Sequence, residues 1–338
     1  MPIVVLDAAA VAAALPMAEC IPLMRQALLA LSTGQVHQPL RTVVRPPAAA
    51  GLMALMPSYL AADAAPGADP ALAEAAFGVK AVCVFPANPR HGRDAHQGVV
   101  VLVDPATGEP QAVLDASAVT RIRTAAASAV ATDVLARPDA HVLALVGAGT
   151  QARAHLEAIL AVRPVSQVRI AARTLGSARA LAAEAAARFD VEVTACADVA
   201  EAVRGADVVV TATTAREPVV TRADVAPGTH VNAVGSSIPT TRELDGALMA
   251  AALVYTDARA SLLAESGDFL LARAEGAIGT DHLRGEIGEV LAGRVPGRRG
   301  SDDITVFTSL GVSIEDVVAG RHALRTALAR GIARPVPF

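Results

Sequence analysis

The stretch VLALVGAGTQA, residues 142–152, decides how this chain is read. Val142 to Val146 form a short apolar run of the kind that makes a fully buried strand. They lead into Gly147-Ala148-Gly149-Thr150-Gln151-Ala152, a G-x-G-x-x-A turn. Each small residue has a physical task. Gly147 permits the tight turn, Gly149 lets the backbone approach a pyrophosphate, and Ala152 lets the next helix pack close to the strand. The start of that helix offers free N–H groups and the positive end of its dipole to phosphates. A Gly-rich turn also occurs in other α/β proteins. Here the context narrows it: a strand precedes, a helix (151–161) follows, and a second strand (167–171) comes at the right distance.

Outward from this turn the pattern repeats. Helices at 177–188 and 198–204 alternate with strands at 191–195 and 208–213, and strands at 230–234 and 253–256 continue the series. Such alternation predicts an α/β fold with a doubly wound parallel Rossmann sheet. Thr211, Thr213, Val234 and Gly235 stand at strand ends, where a dinucleotide crevice would lie, though each also reads as an ordinary loop residue. The second strand bears on the cofactor. NAD sites place an acid at its end for the ribose 2′-hydroxyl, whereas an Arg accommodates a 2′-phosphate. The strand ends Ile170-Ala171-Ala172-Arg173-Thr174, without an acid. Arg173 with Thr174 or Ser177 would hold a phosphate, so NADP(H) is favoured and NAD(H) remains possible. Arg173 also reads as a solvated surface charge.

The first third has a different rhythm. One or two helices, punctuated by Pro16 and Pro22, cover 8–31, and short strand-like runs follow at 41–44, 51–56, 78–85, 98–103 and 111–114. Strands so spaced, with turns such as Asp104-Pro105-Ala106-Thr107-Gly108 between them, predict an antiparallel or mixed sheet. The Pro/Ala/Asp-rich segment 61–71 reads as a surface loop. A strand-like run at 305–307, a Gly turn and a long helix close the sequence, and that helix would fold back on the first domain. The expected division is a substrate-binding and dimerisation domain, 1–125 with 315–338, and a dinucleotide domain, 126–314.

Composition limits the alternatives. The 338 residues carry 29 Lys and Arg against 33 Asp and Glu, a formal charge of −4, which argues against nucleic acid as a partner. Aromatics are 2%, too few for base stacking as a mode of recognition. Mean hydropathy is +0.44, but alanine accounts for it, and no window approaches the roughly 20 apolar residues of a membrane span. The first twenty residues lack a basic start and carry Asp7, unlike a secretory signal. Cys20, Cys83 and Cys196 are far apart and form no C-x-x-C pair, which fits a reducing, cytoplasmic setting. Eight His without ligand spacing predict no metal site.

Three isolated cations stand among apolar or small residues: Arg41, Lys80 and Arg123. Lys80 lies inside an apolar strand-like run, where a charge must be paired or functional. Cations converging on one pocket would bind a carboxylate, Arg by its bidentate fork. Taken singly, each is more often a surface or salt-bridged residue.

Read together, QPLRTVV (38–44), GVKAVCVFPANP (78–89), RTAAASAVAT (123–132), VGAGTQA (146–152), VNAVGSSIPTTRELD (231–245), ESGD (265–268), GEIGEVLAG (285–293) and TVFTSLGVSIED (305–316) resemble the ornithine cyclodeaminase/mu-crystallin family nearly end to end. The resemblance implies a homodimer whose N-terminal domain is completed by the C-terminal helix. It implies that Arg41, Lys80 and Arg123 bind the substrate carboxylate and carry the chemistry. It also implies that His96, Gln151, Arg173, Thr174 and Ser309, beside Gly147, Gly149, Thr150 and Ala152, meet the cofactor. One position departs from the cyclodeaminase pattern. Cyclodeaminases carry an Asp after the Val-Gly of the N-A-V-G block, where this chain has Ser237, and Thr240 and Thr241 stand where a Lys follows. Ser at this substrate position resembles the ketimine reductases. The expected activity is NADPH-dependent reduction of cyclic imino acids. Cyclodeamination of ornithine, an alanine-type dehydrogenase and a non-catalytic NADPH-dependent binder are the alternatives. Glu265 and Asp268 would cap a helix or border the active-site cleft, with the structural role favoured, and the cluster Arg294, Arg298 and Arg299 reads as solvated.

Overall fold

The computed structural model describes residues 2–62 and 74–337. Most of the 61–71 loop assignment therefore lies outside the described residues. The chain divides into two units, Met1–Arg123 with Gly311–Phe338, and Thr124–Leu310.

In the first unit, strands β1 (Pro2–Leu6), β2 (Val36–His37), β3 (Thr42–Val44), β4 (Leu52–Leu60), β5 (Ala76–Val84), β6 (His96–Val103) and β7 (Pro110–Asp115) form one sheet. Strands β4 to β7 run antiparallel in sequence, and β1 joins β7 in parallel, so the sheet is mixed. The period-two pattern sets its faces. Ala54, Met56 and Leu60 of β4, Lys80 and Val82 of β5, and Val100 and Leu102 of β6 point to the buried side. The helix Ser313–Ala329 packs against these strands and against the helix Met17–Ser32. Met53, Leu55, Phe77 and Val99 lie exposed on the alternate positions. Pro22 does not interrupt its helix as expected; it lies inside Met17–Ser32. The missing N–H is outweighed by a buried face that includes Cys20, Leu23, Met24, Ala27 and Leu28.

In the second unit, strands β8 (Val142–Val146), β9 (Gln167–Ala171), β10 (Glu192–Ala195), β11 (Val208–Thr211), β12 (His230–Ala233), β13 (Leu253–Thr256), β14 (Leu283–Glu286) and β15 (Thr305–Thr308) form a sheet of order β10-β9-β8-β11-β12-β15-β13-β14. Every pairing in it is parallel. Its first five strands follow the doubly wound 3-2-1-4-5 order, whose reversal between β8 and β11 marks the ligand crevice. Strands β8, β11, β12 and β15 are buried along their whole length, as strands covered on both faces must be. β14, Leu-Arg-Gly-Glu, carries no clear apolar run, and the sequence pattern predicts no strand there. The sequence pattern grouped 305–307 with the closing helix, whereas β15 lies between β12 and β13.

The chain passes between the units within the helix Ala116–Leu135. Its second half is held to the helix Thr150–Leu160 and to β12 by buried polar pairs. Ser128 Oγ meets His155 Nε2 at 2.9 Å, and Asn232 donates to Thr132 Oγ1 at 2.9 Å. Among the described residues no single helix is long and apolar enough to cross a membrane.

Candidate active site

In the first unit the three cations come together. Lys80 is held by β5, Arg123 by the helix Ala116–Leu135, and Arg41 immediately precedes β3. Lys80 Nζ lies 2.7 Å from Asp316 Oδ2 and 3.5 Å from Thr120 Oγ1. Arg123 donates from Nε to Asp316 Oδ1 at 3.0 Å and from Nη1 to Glu315 Oε2 at 2.6 Å. Arg41 Nη2 donates to the Gly311 carbonyl at 3.0 Å. Gly311 has φ +76°, and a Cβ there would lie 2.5 Å from Arg123 Nη1. Only glycine suits both that backbone and that contact. Arg41 and Arg123 therefore approach one residue, while Lys80 and Arg123 share one carboxylate.

Lys80, Arg123, Glu315 and Asp316 are buried. Packing three cations this closely requires counter-charge, and Glu315 and Asp316 supply it. Among the printed pairs, Asp316 serves both Lys80 and Arg123, and Glu315 serves Arg123. Burial, and then the neighbouring Arg123, push the Lys80 amine down to about 8, while Asp316 pulls the other way. Burial also opposes the Arg123 charge, but Asp316 and Glu315 outweigh it and hold the guanidinium protonated. His96 opens β6, and its carbonyl accepts the Ser117 hydroxyl. It belongs to the first unit, unlike the rest of the expected cofactor set.

In the second unit the expected cofactor residues gather at the carboxyl ends of parallel strands. Gly147 has φ +121°, and a Cβ there would lie 2.5 Å from the Ala212 carbonyl, so the turn after β8 rests against the segment after β11. Gly149 is the N-cap of the helix Thr150–Leu160, makes no side-chain cap bond and faces open space. Gln151 Oε1 is buried without a hydrogen-bond partner, and Ala152 is packed against the strands. An open glycine and an uncapped helix start, with their N–H groups free to donate, fit a dinucleotide diphosphate. At the end of β9, Arg173 is exposed. Thr174 caps the helix Leu175–Arg188 by accepting the Ser177 N–H at 3.2 Å, and the Thr174 and Ser177 hydroxyls are 2.8 Å apart.

Thr211, Thr213, Val234 and Gly235 lie at the ends of β11 and β12, where Val234 N–H donates to the Thr211 carbonyl at 2.9 Å. Ser309 follows β15 and donates its N–H to the Ala233 carbonyl at 2.9 Å. Ser237 is half-buried in the loop after β12.

Four acids were missed or left as bystanders. Glu315 and Asp316 form the counter-charge in the first unit. Their signal was an acid pair inside the apolar run Val312-Ser313-Ile314-Glu315-Asp316-Val317-Val318. Glu243 binds Thr211, Thr213 and Gly235. Asp268 accepts the Ser236 hydroxyl and the Glu243 and Leu244 N–H groups.

The model of the ornithine cyclodeaminase/mu-crystallin family matches residues 2–329. Ketimine reductase mu-crystallin of Mus musculus is 40% identical over 304 residues, covering 89% of this chain and 90% of that protein. The structure of Thermococcus litoralis Δ1-pyrroline-2-carboxylate reductase in complex with NADH and L-proline superposes with TM-score 0.92 at 33% identity, covering 99% of this chain and all of that one (100%). An archaeal alanine dehydrogenase dimer with bound NAD gives TM-score 0.91 at 29% identity, with 100% of both chains covered.

Proposed function

This chain belongs to the ornithine cyclodeaminase/mu-crystallin family, and we propose that it reduces small cyclic imino acids with NAD(P)H. The substrates assigned are Δ1-pyrroline-2-carboxylate and Δ1-piperideine-2-carboxylate, giving L-proline and L-pipecolate. The observation that carries this reading is the convergence of Arg41, Lys80 and Arg123 around Gly311 and Asp316.

Arg41 and Arg123 grip the carboxylate. Arg123 commits Nε and Nη1 to Asp316 and Glu315, and Nη2, beside Gly311, is the donor assigned to the acid. The two acids hold the guanidinium plane, so the substrate meets a fixed donor. Lys80 holds the proton that the ring nitrogen takes up as C=N becomes CH–NH. An amine near 8 is matched to that transfer at neutral pH. Gly147, Gly149, Thr150, Gln151 and Ala152 hold the diphosphate; when bound, the reduced nicotinamide supplies the hydride to C2.

NADP(H) is the preferred cofactor in this reading, because Arg173, Thr174 and Ser177 stand at the end of β9 with no acid. Ser237, in place of a cyclodeaminase-type Asp, supports reduction over cyclodeamination. The likeness to alanine dehydrogenase supports a second reading, amination of an oxo acid through a transient imine. The exposed apolar face of Met53, Leu55, Phe77 and Val99 supports a homodimer through the first unit.

The test is a panel of purified protein with NADPH or NADH against both cyclic imines, pyruvate with ammonium, and L-ornithine. Loss of nicotinamide absorbance with the cyclic imines is expected. Turnover only with pyruvate and ammonium would favour the second reading. Ammonia release from ornithine with catalytic NAD would favour cyclodeamination, and tight ligand binding without turnover on any substrate would favour a binder.

A further inference from the structure

Glu243 lies between β12 and the helix Gly246–Ala251, closed to solvent. Its Oε2 accepts the Thr211 hydroxyl at 2.8 Å and the Gly235 N–H at 2.6 Å, and its Oε1 accepts the Thr213 N–H at 2.6 Å. Two of the partners are backbone N–H groups that can only donate, and their bonds to a carboxylate are charge-assisted; the Thr211 hydroxyl donates to the carboxylate and would accept from the acid. The donors come from the ends of two neighbouring strands, whose ladder finishes at Thr211 and Ala233. The Gly147 turn rests on the same segment, against the Ala212 carbonyl. A Cβ on Gly235 would lie 2.6 Å from Glu243 Oε1, so the carboxylate fills the space a side chain would take.

Asp268 is the charged group that faces Glu243, and it fixes the loop that delivers it. Asp268 Oδ1 accepts the Glu243 N–H at 2.8 Å and the Leu244 N–H at 2.9 Å, and its Oδ2 accepts the Ser236 hydroxyl. Arg242 lies beyond, close enough to favour the charged form of Asp268. Burial, with Asp268 second, raises the Glu243 carboxyl to about 7, against the pull of Thr213, Thr211 and Gly235.

We propose that Glu243 is the positioning residue of the dinucleotide crevice: as a carboxylate it clips the ends of β11 and β12 together behind the Gly147 turn, and on taking a proton it loses the charge that strengthens the Thr213 and Gly235 bonds and loosens the crevice. This rests on the reading that the second unit binds a dinucleotide. Glu243 touches no reacting atom in this assignment; it acts through Thr213 and Gly235.

The test is direct NADH binding, which carries no 2′-phosphate to titrate in this range, followed by nicotinamide fluorescence from about pH 6 to about pH 8.5, with wild type, Glu243→Gln and Thr211→Val. In wild type the Kd rises several-fold as pH falls through neutrality. Glu243→Gln binds about tenfold more weakly at pH 8, the scale of one lost hydrogen bond to a charged acceptor, and its Kd no longer follows pH. Turnover loss in this variant falls more on the cofactor KM than on kcat. Thr211→Val removes a donor that favours the charged form, so its midpoint moves to higher pH. If Glu243→Gln does not fold, Thr211→Val carries the test. A Glu243→Gln protein with wild-type affinity and pH slope, or an unmoved Thr211→Val midpoint, overturns the inference alone. A wild type that binds no dinucleotide overturns both this inference and the functional reading beneath it.

Discussion

Asp316 Oδ2 lies 2.7 Å from Lys80 Nζ, with both side chains closed to solvent. The other oxygen of the same carboxylate takes Arg123 Nε at 3.0 Å. One acid thus fixes two of the three cations. Without it, two positive charges would face each other in a medium that screens them poorly.

Asp316→Asn keeps the shape and removes the charge. Breaking a buried pair typically destabilises by about 3–5 kcal/mol, because the partner is left uncompensated. Urea unfolding should show a loss of that order. In protein that remains folded, kcat/KM for the imine should fall more than NADPH affinity. An unchanged unfolding midpoint would show that Asp316 is not the counter-charge.

The Lys80 amine, pushed by burial down to about 8, is charged at neutral pH and loses its proton above that value. If it donates the proton, kcat/KM falls as pH rises through about 8, since the neutral amine has none to give. Asp316→Asn removes the attraction that favours the ammonium, so the alkaline limb should shift to lower pH. Lys80→Ala should lose roughly 100-fold or more in kcat while keeping its affinity for NADPH. A pH–rate profile flat from 7 to 10 would exclude Lys80 as the donor.

Arg173→Ala should raise the KM for NADPH by about 10- to 100-fold, the usual scale of one charge-assisted hydrogen bond, and leave the KM for NADH nearly unchanged. Initial rates with the two cofactors separate the outcomes. Equal effects on both would mean that Arg173 is a solvated charge.

His155 is buried against Ser128, and burial lowers its imidazole to about 4. Between that value and the ordinary 6.5, the unfolded chain binds a proton that the folded chain refuses. Stability from this residue is therefore present at neutral pH and declines as the solution is acidified from above 6.5 toward 4. The change at pH 5 is about 2 kcal/mol. Comparing wild type with His155→Gln isolates it from other titrating groups: the stability difference between them should narrow by that amount from pH 7 to pH 5. A constant difference would mean that His155 titrates normally in the folded state.

Much of this molecule is written locally. The run 142–146 and the glycines after it specify a strand, a turn and a helix, because apolar burial and left-handed backbone are properties of single residues and near neighbours. The β/α alternation after it likewise yields a parallel sheet. β14 was illegible for the complementary reason: Leu283-Arg284-Gly285-Glu286 becomes a strand through pairing with β13, not through its own pattern. Pro22 was misleading because a packed face can hold a helix across one lost hydrogen bond.

By itself the sequence determined the two kinds of unit, the cation types on offer and the small residues of the dinucleotide turn. Only the tertiary structure decided which charges meet. Lys80 and Asp316 are 236 positions apart, and Arg123 and Glu315 are 192 apart. Their pairing depends on how the helix Ser313–Ala329 seats on β5, and Glu243 gains its three donors only once β11 and β12 lie side by side. Such contacts arise from long-range packing, and a charge gains its function from the burial and the partners that packing supplies.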